Sequence, residues 1–331
     1  MNPERALLER LLAGTPVSGD ALARASGQTR AAVWKRIEAL RMAGVPIEAR
    51  RGRGYVLAQP LELLDAGLIR TALPAEAAAE VAALEVAWSL DSTSSELLRR
   101  ATPASGVAVL LAERQSGGRG RRGRGWASPL AANLYLSLSR RFAGGLARLG
   151  GLGLVAGVAA AEALQALGAA QVRLKWPNDL VANDAGPGLR KLGGLLVEGG
   201  GEHAGPARAV VGLGLNLRMP PAAGATIDQP WTDLAAVLGA EPARNQVAAR
   251  LIAALVPALM QFDREGLAPF LPRFAALDAL AGRPVRIAGA GGGHDGIALG
   301  VAADGALRVR GAGGERSFHA GEVSVRAGAL P

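Results

Sequence analysis

The chain has 331 residues, half of them hydrophobic and 20% charged, a globular composition long enough for two or three domains. It contains no cysteine, which excludes disulfides, thiolate metal sites and cysteine nucleophiles, and its three histidines (His203, His294, His319) stand in no ligand-like spacing. The net charge of +9 points to polyanionic partners.

The first sixty residues hold ten Lys/Arg against five Asp/Glu and read as helix, helix, helix, hairpin. Leucines at helical spacing mark residues 3–13, and this charged, amphipathic start is not a cleavable signal. A second helix begins near a Ser18/Asp20 cap and stops at Gly27. A third starts at Thr29, carries Ala32, Val33, Ile37 and Leu40 on one face, and ends at Gly44. "VPIEARRGRGYVL" then gives two short strands around a Gly- and Arg-rich turn. Together these form a winged helix-turn-helix, expected over 1–62. Arg30, Lys35 and Arg36 would face DNA from the third helix, with Arg50, Arg51 and Arg53 in the wing. The alternative is a small three-helix domain whose charges are solvated surface.

A larger α/β region is expected over 65–278. "GVAVLLAE", "NLYLSLS", "VRLKW", "LGGLLVE" and "AVVGLGLNL" read as strands, while 146–167 and 243–266 read as long helices. Short connections between strands predict a mixed, largely antiparallel sheet with helices on one side. The most apolar stretch, roughly 149–161, is too short to span a bilayer, so the expectation is a cytoplasmic protein with no membrane partner. From 281 to 331, short β-runs alternate with Gly-rich turns and predict a small five-stranded barrel. The fold class is therefore a multidomain α/β chain: winged helix, α+β core, β-barrel.

Four segments of the central region carry chemistry. "QSGGRGRRGRGW" (115–126) has four arginines and five glycines in twelve positions. Gly118, Gly120 and Gly123 match a dinucleotide fingerprint in spacing, but a strand follows where a helix is required, and no acidic residue occurs between Glu113 and Glu162. The glycines instead allow backbone N–H groups to approach an anion while the arginines supply charge, a cradle for phosphate and carboxylate with Trp126 placed to stack on a ring. The alternative is a surface loop. The chain has 34 arginines and only three lysines (Lys35, Lys175, Lys191), so each retained lysine marks a position that can need a compact ammonium. "RLKWPND" (173–179) ends a strand with Lys175 and uses Pro177 to present Asn178 and Asp179. "RKLGGLLVE" (190–198) sets Lys191 beside Gly193 and Gly194, and "GLGLNL" (212–217) puts small residues on one strand face before Asn216.

In this order, "DSTSSE" (91–96), "QSGGRGRRGRGW", "KWPND", "KLGGLLVE" and "GLGLNL" are similar to the signature set of the biotin protein ligase family. The N-terminal winged helix and the C-terminal barrel, SH3-like in that family, resemble its bifunctional form, ligase and biotin-operon repressor. The resemblance covers essentially the whole chain. It implies activation of biotin by ATP and Mg²⁺ to biotinyl-5′-AMP, then transfer to a lysine of the biotin carboxyl carrier protein of acetyl-CoA carboxylase. It further implies biotinyl-5′-AMP as corepressor, a homodimer when adenylate-bound, and operator DNA as partner.

Carried over by motif, the biotin set is Ser92, Thr93, Ser94, Gln115, Gly118, Arg119, Gly120, Arg121, Lys191 and Gly194. The nucleotide set is Arg119, Arg121, Arg124, Trp126, Lys175, Asn178, Asn216 and Arg326. Arg119, Arg121, Lys175, Asp179 and Lys191 are the expected catalytic residues, and no protein ligand for the metal is identified. Ser94 departs from the family, where Asn commonly follows Ser-Thr. Ser92–Thr93 also reads as a helix N-cap, a role compatible with ligand binding. The loop before Trp231 is expected to order over the adenylate. A repressor with weak or lost ligase activity, and a lipoate-type ligase, stay as alternatives.

Overall fold

The computed structural model describes residues 2–183, 188–201, 206–289, 292–320 and 323–327. Its N-terminal part contains α1 (Pro3–Leu11), α2 (Gly19–Ser26), α3 (Arg30–Met42) and the antiparallel hairpin β1 (Ile47–Arg50) and β2 (Gly54–Leu57). Caps set these boundaries. Ser18 and Thr29 accept from the third backbone N–H beyond them, and α2 ends at Gly27 with φ +64°. Val33, Ile37 and Leu40 turn one stripe of α3 into a core shared with Leu7, Leu8, Leu11 and Leu22.

Two short helices, α4 (Ala66–Thr71) and α5 (Ala75–Glu80), lead into the central unit. There follow β3 (Val81–Leu90), α6 (Thr93–Arg99), β4 (Val107–Gln115), β5 (Leu134–Phe142), α7 (Leu152–Ala166), β6 (Arg173–Lys175), β7 (Asp179–Ala182), β8 (Arg190–Gly201) and β9 (Ala207–Leu215). The helices α8 (Pro221–Gly224), α9 (Leu234–Leu238), α10 (Arg244–Glu265) and α11 (Leu271–Leu277) complete the unit. The strands form one sheet in the order β3-β4-β5-β9-β8-β7-β6, in which only β3 and β4 pair in parallel.

Alternation along the strands gives the sheet two different faces. Val109, Leu111, Leu134, Leu136, Leu138, Val211 and Leu213 turn to α7 and α10, the main core. Leu110 and Val210 point the other way, where Leu97 of α6 covers them. The two long helices thus share one side as expected, and the short α6 occupies the other. One expected helix is corrected. Residues 146–167 do not form a single helix, because a 3₁₀ turn (Leu146–Leu149) is separated from α7 by Gly150 and Gly151, the latter at φ +83°.

The last part contains β10 (Pro284–Gly289), β11 (Gly292–Val301), β12 (Leu307–Gly311), β13 (Gly314–Phe318) and β14 (Val323–Ala327), antiparallel in the order β13-β12-β11-β10-β14. These are the five strands expected of the small barrel.

Polar contacts fix the three parts to one another. Leu130 N–H donates to Ala43 C=O (2.9 Å), and Leu130 and Ala131 join the N-terminal core. Trp88 Nε1 donates to Glu4 (3.1 Å), and Trp176 Nε1 donates to Gly305 C=O (3.0 Å) in the C-terminal part. A buried ion pair, Arg244–Glu113 at 2.8 Å, anchors the connecting segment. Glu113 also accepts from Leu64 N–H, and Arg244 donates to the carbonyls of Glu62 and Asn133. Charges removed from water require partners of this kind, although Arg244 Nε is itself buried with no partner among the described residues.

Candidate active site and nucleic-acid interface

The site lies on the sheet face opposite α7 and α10, below α6 and the loop after β4. Three glycines make its floor. Gly194 and Gly214 face each other across β8 and β9, and Trp126 lies on both. A Cβ at Gly214 would stand 2.5 Å from the indole, and one at Gly212 would stand 2.4 Å from Ser94 Oγ. The small residues of "GLGLNL" are therefore required by the groups stacked on them.

The N-terminus of α6 supplies the wall. Ser92 caps the helix, accepting from Ser95 N–H. Thr93 donates its N–H to Gln115 Oε1 (2.8 Å), and its hydroxyl meets Ser137 Oγ at 2.7 Å. Ser94 Oγ reaches the same Ser137 Oγ at 3.0 Å. Gln115 Nε2 donates to Ser128 Oγ (3.3 Å), which in turn donates to Trp126 C=O. This chain of buried and half-buried polar groups is held in place from outside by Asp91 and Arg99, paired at 2.8 Å. The Arg99 guanidinium pulls the Asp91 carboxyl down to about 2.

The arginine loop is a closed structure. Trp126 N–H donates to Gly118 C=O and Gly120 N–H to Arg124 C=O, with Arg119 bridged to Gly125. Arg122 (φ +58°) and Gly123 (φ +71°) make the reversal at its tip. Gly118 is obligatory, since a Cβ would fall 2.7 Å from Ser128 Oγ and 2.9 Å from Trp126 C=O. Arg119 donates to Ser95 Oγ (2.8 Å) and pairs with Glu198 (3.2 Å). Arg121 is half-buried, donates to Asn178 Oδ1 (3.3 Å) and reaches Ala320 C=O of the C-terminal part. Burial, with neighbouring Arg122 and Arg124, pushes its guanidinium below its ordinary value, and Asp179 opposes that. Arg124 is exposed.

Lys191 Nζ is 2.7 Å from Asp179 and 5.4 Å from the Trp126 ring centre. The pair is made by the β7–β8 ladder, in which Asp179 faces Gly194 and a register shift lets Lys191 face Val181. Lys175 is half-buried and faces Asp179 across the β6–β7 turn. Asn178 donates to Leu195 C=O (2.7 Å), and Asn216 is buried and donates to Thr232 C=O (3.0 Å). The loop before Trp231 crosses beside Lys191: Lys191 N–H donates to Pro230 C=O and Thr232 N–H to Lys191 C=O. Trp231 packs on Gly224 of α8.

These contacts join Thr93, Ser94, Gln115, Gly118, Arg119, Arg121, Trp126, Asn178, Asp179, Lys191 and Gly194, whereas Lys175 is placed beside them only by its strand pairing with Asp179 and Arg124 only by its loop backbone. The side chain of Arg326 lies outside the described residues, as do positions 184–187 of the loop between "KWPND" and "KLGG". The backbone of Arg326 pairs with Arg286 in β14. Sequence reasoning missed Ser128, Ser137 and Glu198. Ser137 was discoverable, since "NLYLSLS" alternates and the leucines claim one face, leaving the serine for the other.

In the N-terminal part, Arg30, Lys35, Arg50, Arg51 and Arg53 are exposed and Arg36 is half-exposed. Arg30 pairs with Asp20 at 3.2 Å. Helix α3 and the hairpin turn therefore both present cations to solvent.

Fold and site together define a ligase of the acyl-transferring type joined to a winged helix-turn-helix. Residues 87–216 match the Biotin/lipoate A/B protein ligase family, residues 4–56 an HTH domain, and residues 281–326 the Biotin protein ligase C terminal domain. The chain is 41% identical over 320 residues to the bifunctional ligase/repressor BirA of Salmonella typhimurium, covering 97% of this chain and 96% of that one. The Escherichia coli BirA is 40% identical with the same coverage. A solved biotin protein ligase from Aquifex aeolicus, in complex with biotin and ATP, shares the fold at TM-score 0.61 and 24% identity, over 75% of this chain and all of that one. The chain belongs to the biotin protein ligase family, in its bifunctional ligase/repressor form.

Proposed function

We propose that this chain activates biotin with ATP to biotinyl-5′-AMP and transfers biotin to a lysine of the biotin carboxyl carrier protein of acetyl-CoA carboxylase. It also represses biotin-synthesis genes with the adenylate as corepressor. The observation that carries the ligase reading is the glycine floor under Trp126, with Lys191 on Asp179, Arg121 on the adjacent Asn178, and Arg119 at the Ser95–Glu198 end of the same loop beside a hydroxyl-lined wall. The support for repression is the exposed cationic face of α3 and the hairpin, in a chain 41% identical to a bifunctional ligase/repressor.

In the first step a biotin carboxylate oxygen attacks the α-phosphorus and the bond to pyrophosphate breaks. Both reactants are anions, so cationic groups must gather at the junction. Arg119, Arg121 and Lys191 do this, with Lys175 toward the phosphates. The protein groups are partly preorganised: Arg121 is desolvated and crowded by other arginines, so an arriving anion relieves it. Thr93, Ser94 and Gln115, with Ser92 and the backbone of Gly118, Gly120 and Gly194, hold the ureido and ring end. Trp126 and Asn216 serve the adenine side, with Asn178, Arg124 and Arg326 completing the nucleotide set. Trp126 Nε1 is buried against Gly214 with no hydrogen-bond partner among the described residues, so the ring offers a ligand its face and not its N–H.

In the second step the carrier lysine amine attacks the acyl carbon, AMP leaves, and the amine loses a proton. Asp179 orients the incoming amine. Mg²⁺ would be brought with ATP and would offset phosphate charge there, and no residue of the chain is assigned to hold it.

The parts divide at 1–62, 65–278 and 281–331, the first having a core separate from that of the sheet, to which Leu63, Leu130 and Ala131 also contribute. The adenylate-bound chain dimerises through the central sheet, where β8 runs to Gly201 beyond its pairing with β7. The cytoplasm is the proposed location. The apolar segment Leu146–Ala166, long enough by composition to cross a membrane, is mostly packed inside the fold.

Incubation with ATP, Mg²⁺ and labelled biotin, followed by carrier domain, should give acid-stable label on the carrier. Absence of label overturns the ligase reading and favours the repressor alternative. Protection of DNA upstream of biotin-synthesis genes should require the adenylate, and protection indifferent to it overturns the corepressor role.

A further inference from the structure

We infer that Trp34 reads sequence in the DNA-binding face, packing its indole against the C5-methyl of a thymine in the major groove. The inference rests on the DNA-binding reading above and adds to it a base contact that is apolar rather than cationic.

Trp34 is 54% exposed, and it stands with Met42 and Leu68 as the large hydrophobic side chains left open among the described residues. The other tryptophans are engaged within the fold. Trp176 is buried, Trp88 and Trp231 donate to Glu4 and Gly224, and Trp126 lies on Gly214. A single exposed apolar side chain is ordinary on any surface. The position of this one is what gives it meaning.

It is the fifth residue of α3, the second helix of the helix-turn-helix pair and the one that enters the major groove in this motif. Base contacts in that geometry come from the N-terminal half of the helix, and Trp34 lies one turn beyond Arg30 on the same face. Val33, Ile37 and Leu40 are buried, so the opposite stripe, with Ala31, Trp34 and Lys35, is directed away from the core.

Charge selects the occupant. No acidic residue occurs between Asp20, which pairs with Arg30, and Glu38, and exposed Lys35 follows Trp34 directly. The hairpin adds exposed Arg50, Arg51 and Arg53. An apolar ring inside a cationic surface matches a duplex, whose phosphates take the cations and whose major groove offers one strongly apolar feature, the thymine methyl. An apolar protein partner would not need the exposed cations of the helix and the hairpin.

The test uses the full-length chain loaded with biotin and ATP. Duplexes are selected from a random-sequence library, and the enriched site is then resynthesised with deoxyuridine replacing each thymine in turn, which removes only the methyl. The wild type should lose about tenfold in affinity at one position of each half-site, within the range for one mismatched base pair. Trp34→Ala should bind the thymine duplex about tenfold more weakly and be indifferent to deoxyuridine at that position. Its dependence on salt should be unchanged, whereas Lys35→Ala should lower the slope by about one phosphate contact. Both variants should biotinylate carrier normally and keep the wild-type thermal unfolding profile, which together verify folding, and Trp34→Phe should restore part of the thymine preference.

Failure to enrich any duplex overturns the DNA-binding reading itself. Enrichment with equal deoxyuridine sensitivity in wild type and Trp34→Ala overturns the role of Trp34 alone. A Trp34→Ala loss that is uniform across sequences, or a change in self-association without DNA, also overturns it.

Discussion

The indole of Trp126 lies on the α-carbon of Gly214, with the position of a Cβ there only 2.5 Å from Cε2 and 2.7 Å from Nε1. The ring cannot retreat freely, because Lys191 Nζ sits 5.4 Å from its centre and its backbone N–H is tied to Gly118 C=O. A methyl group at residue 214 must therefore move the whole end of the arginine loop.

Gly214→Ala should accordingly cut the rate of biotinyl-AMP formation by about 10²-fold, the scale of a 1 Å misplacement of reacting groups. Stability should change little by comparison, since the loop is at the surface. Measurement of pyrophosphate release alongside thermal unfolding separates the two effects. An active Gly214→Ala would mean that the position of Trp126 is unimportant to adenylation.

Lys191 and Asp179 form an ion pair at 2.7 Å, each side chain about one-fifth exposed. If Lys191 meets the developing charge at the carboxylate–phosphate junction, Lys191→Ala should lower adenylate formation by about 10²–10³-fold, the range for loss of one preorganised donor. Lys191→Ala should remain folded. Asp179→Asn should affect transfer from preformed biotinyl-AMP more than its formation. Single-turnover assays of the two half-reactions measure this split, and equal losses in both would reject an orienting role for Asp179.

Much of this site was legible because glycine, proline and lysine are informative residues in a chain rich in arginine. "KWPND" and "KLGG" placed Lys175, Asp179 and Lys191 near strand ends, and the structure puts them in the β6–β7–β8 ladder. The capping residues Ser18, Thr29 and Ser92 were legible for a local reason, since each satisfies N–H groups within its own helix. β3 and β7 were not anticipated. β3 is half-exposed along most of its length, and β7 has only four residues, so neither gives a strong periodic signal. Glu198 was also invisible as a partner of Arg119, because 79 positions separate them and only the sheet brings them together.

The Arg244–Glu113 pair ties the segment after the winged helix to the catalytic sheet. Glu113 Oε1 accepts from Leu64 N–H while Oε2 accepts from Arg244, whose own backbone N–H reaches Glu62. Glu113→Ala should destabilise the protein by about 3–5 kcal/mol, because it leaves a buried guanidinium and a buried amide without their acceptor. Replacing both with apolar residues of similar volume, Glu113→Leu with Arg244→Met, should cost much less than the single change. Urea unfolding of the three variants tests this, and a mild Glu113→Ala effect would show that water or another acceptor takes over.

Asp278 gives a pH dependence of opposite sign to the usual carboxylate. Burial raises its pKa above 3.8, only partly offset by backbone N–H groups of Leu280 and Ala281, and Oδ2 is buried with no partner among the described residues. The folded state therefore holds this proton more tightly than the unfolded chain does. Its favourable contribution is complete below the unfolded value and is lost as pH rises through the folded one, leaving at neutral pH a buried charge that the two backbone N–H groups only partly offset. Asp278→Asn should thus raise Tm by a few degrees at pH 7, and the difference should shrink as pH falls toward 4. Thermal unfolding from pH 4 to 8 measures the trend. A difference that is constant with pH would show that burial does not govern Asp278, and a lower Tm at pH 7 would assign its carboxylate a partner in the join between the central and C-terminal parts.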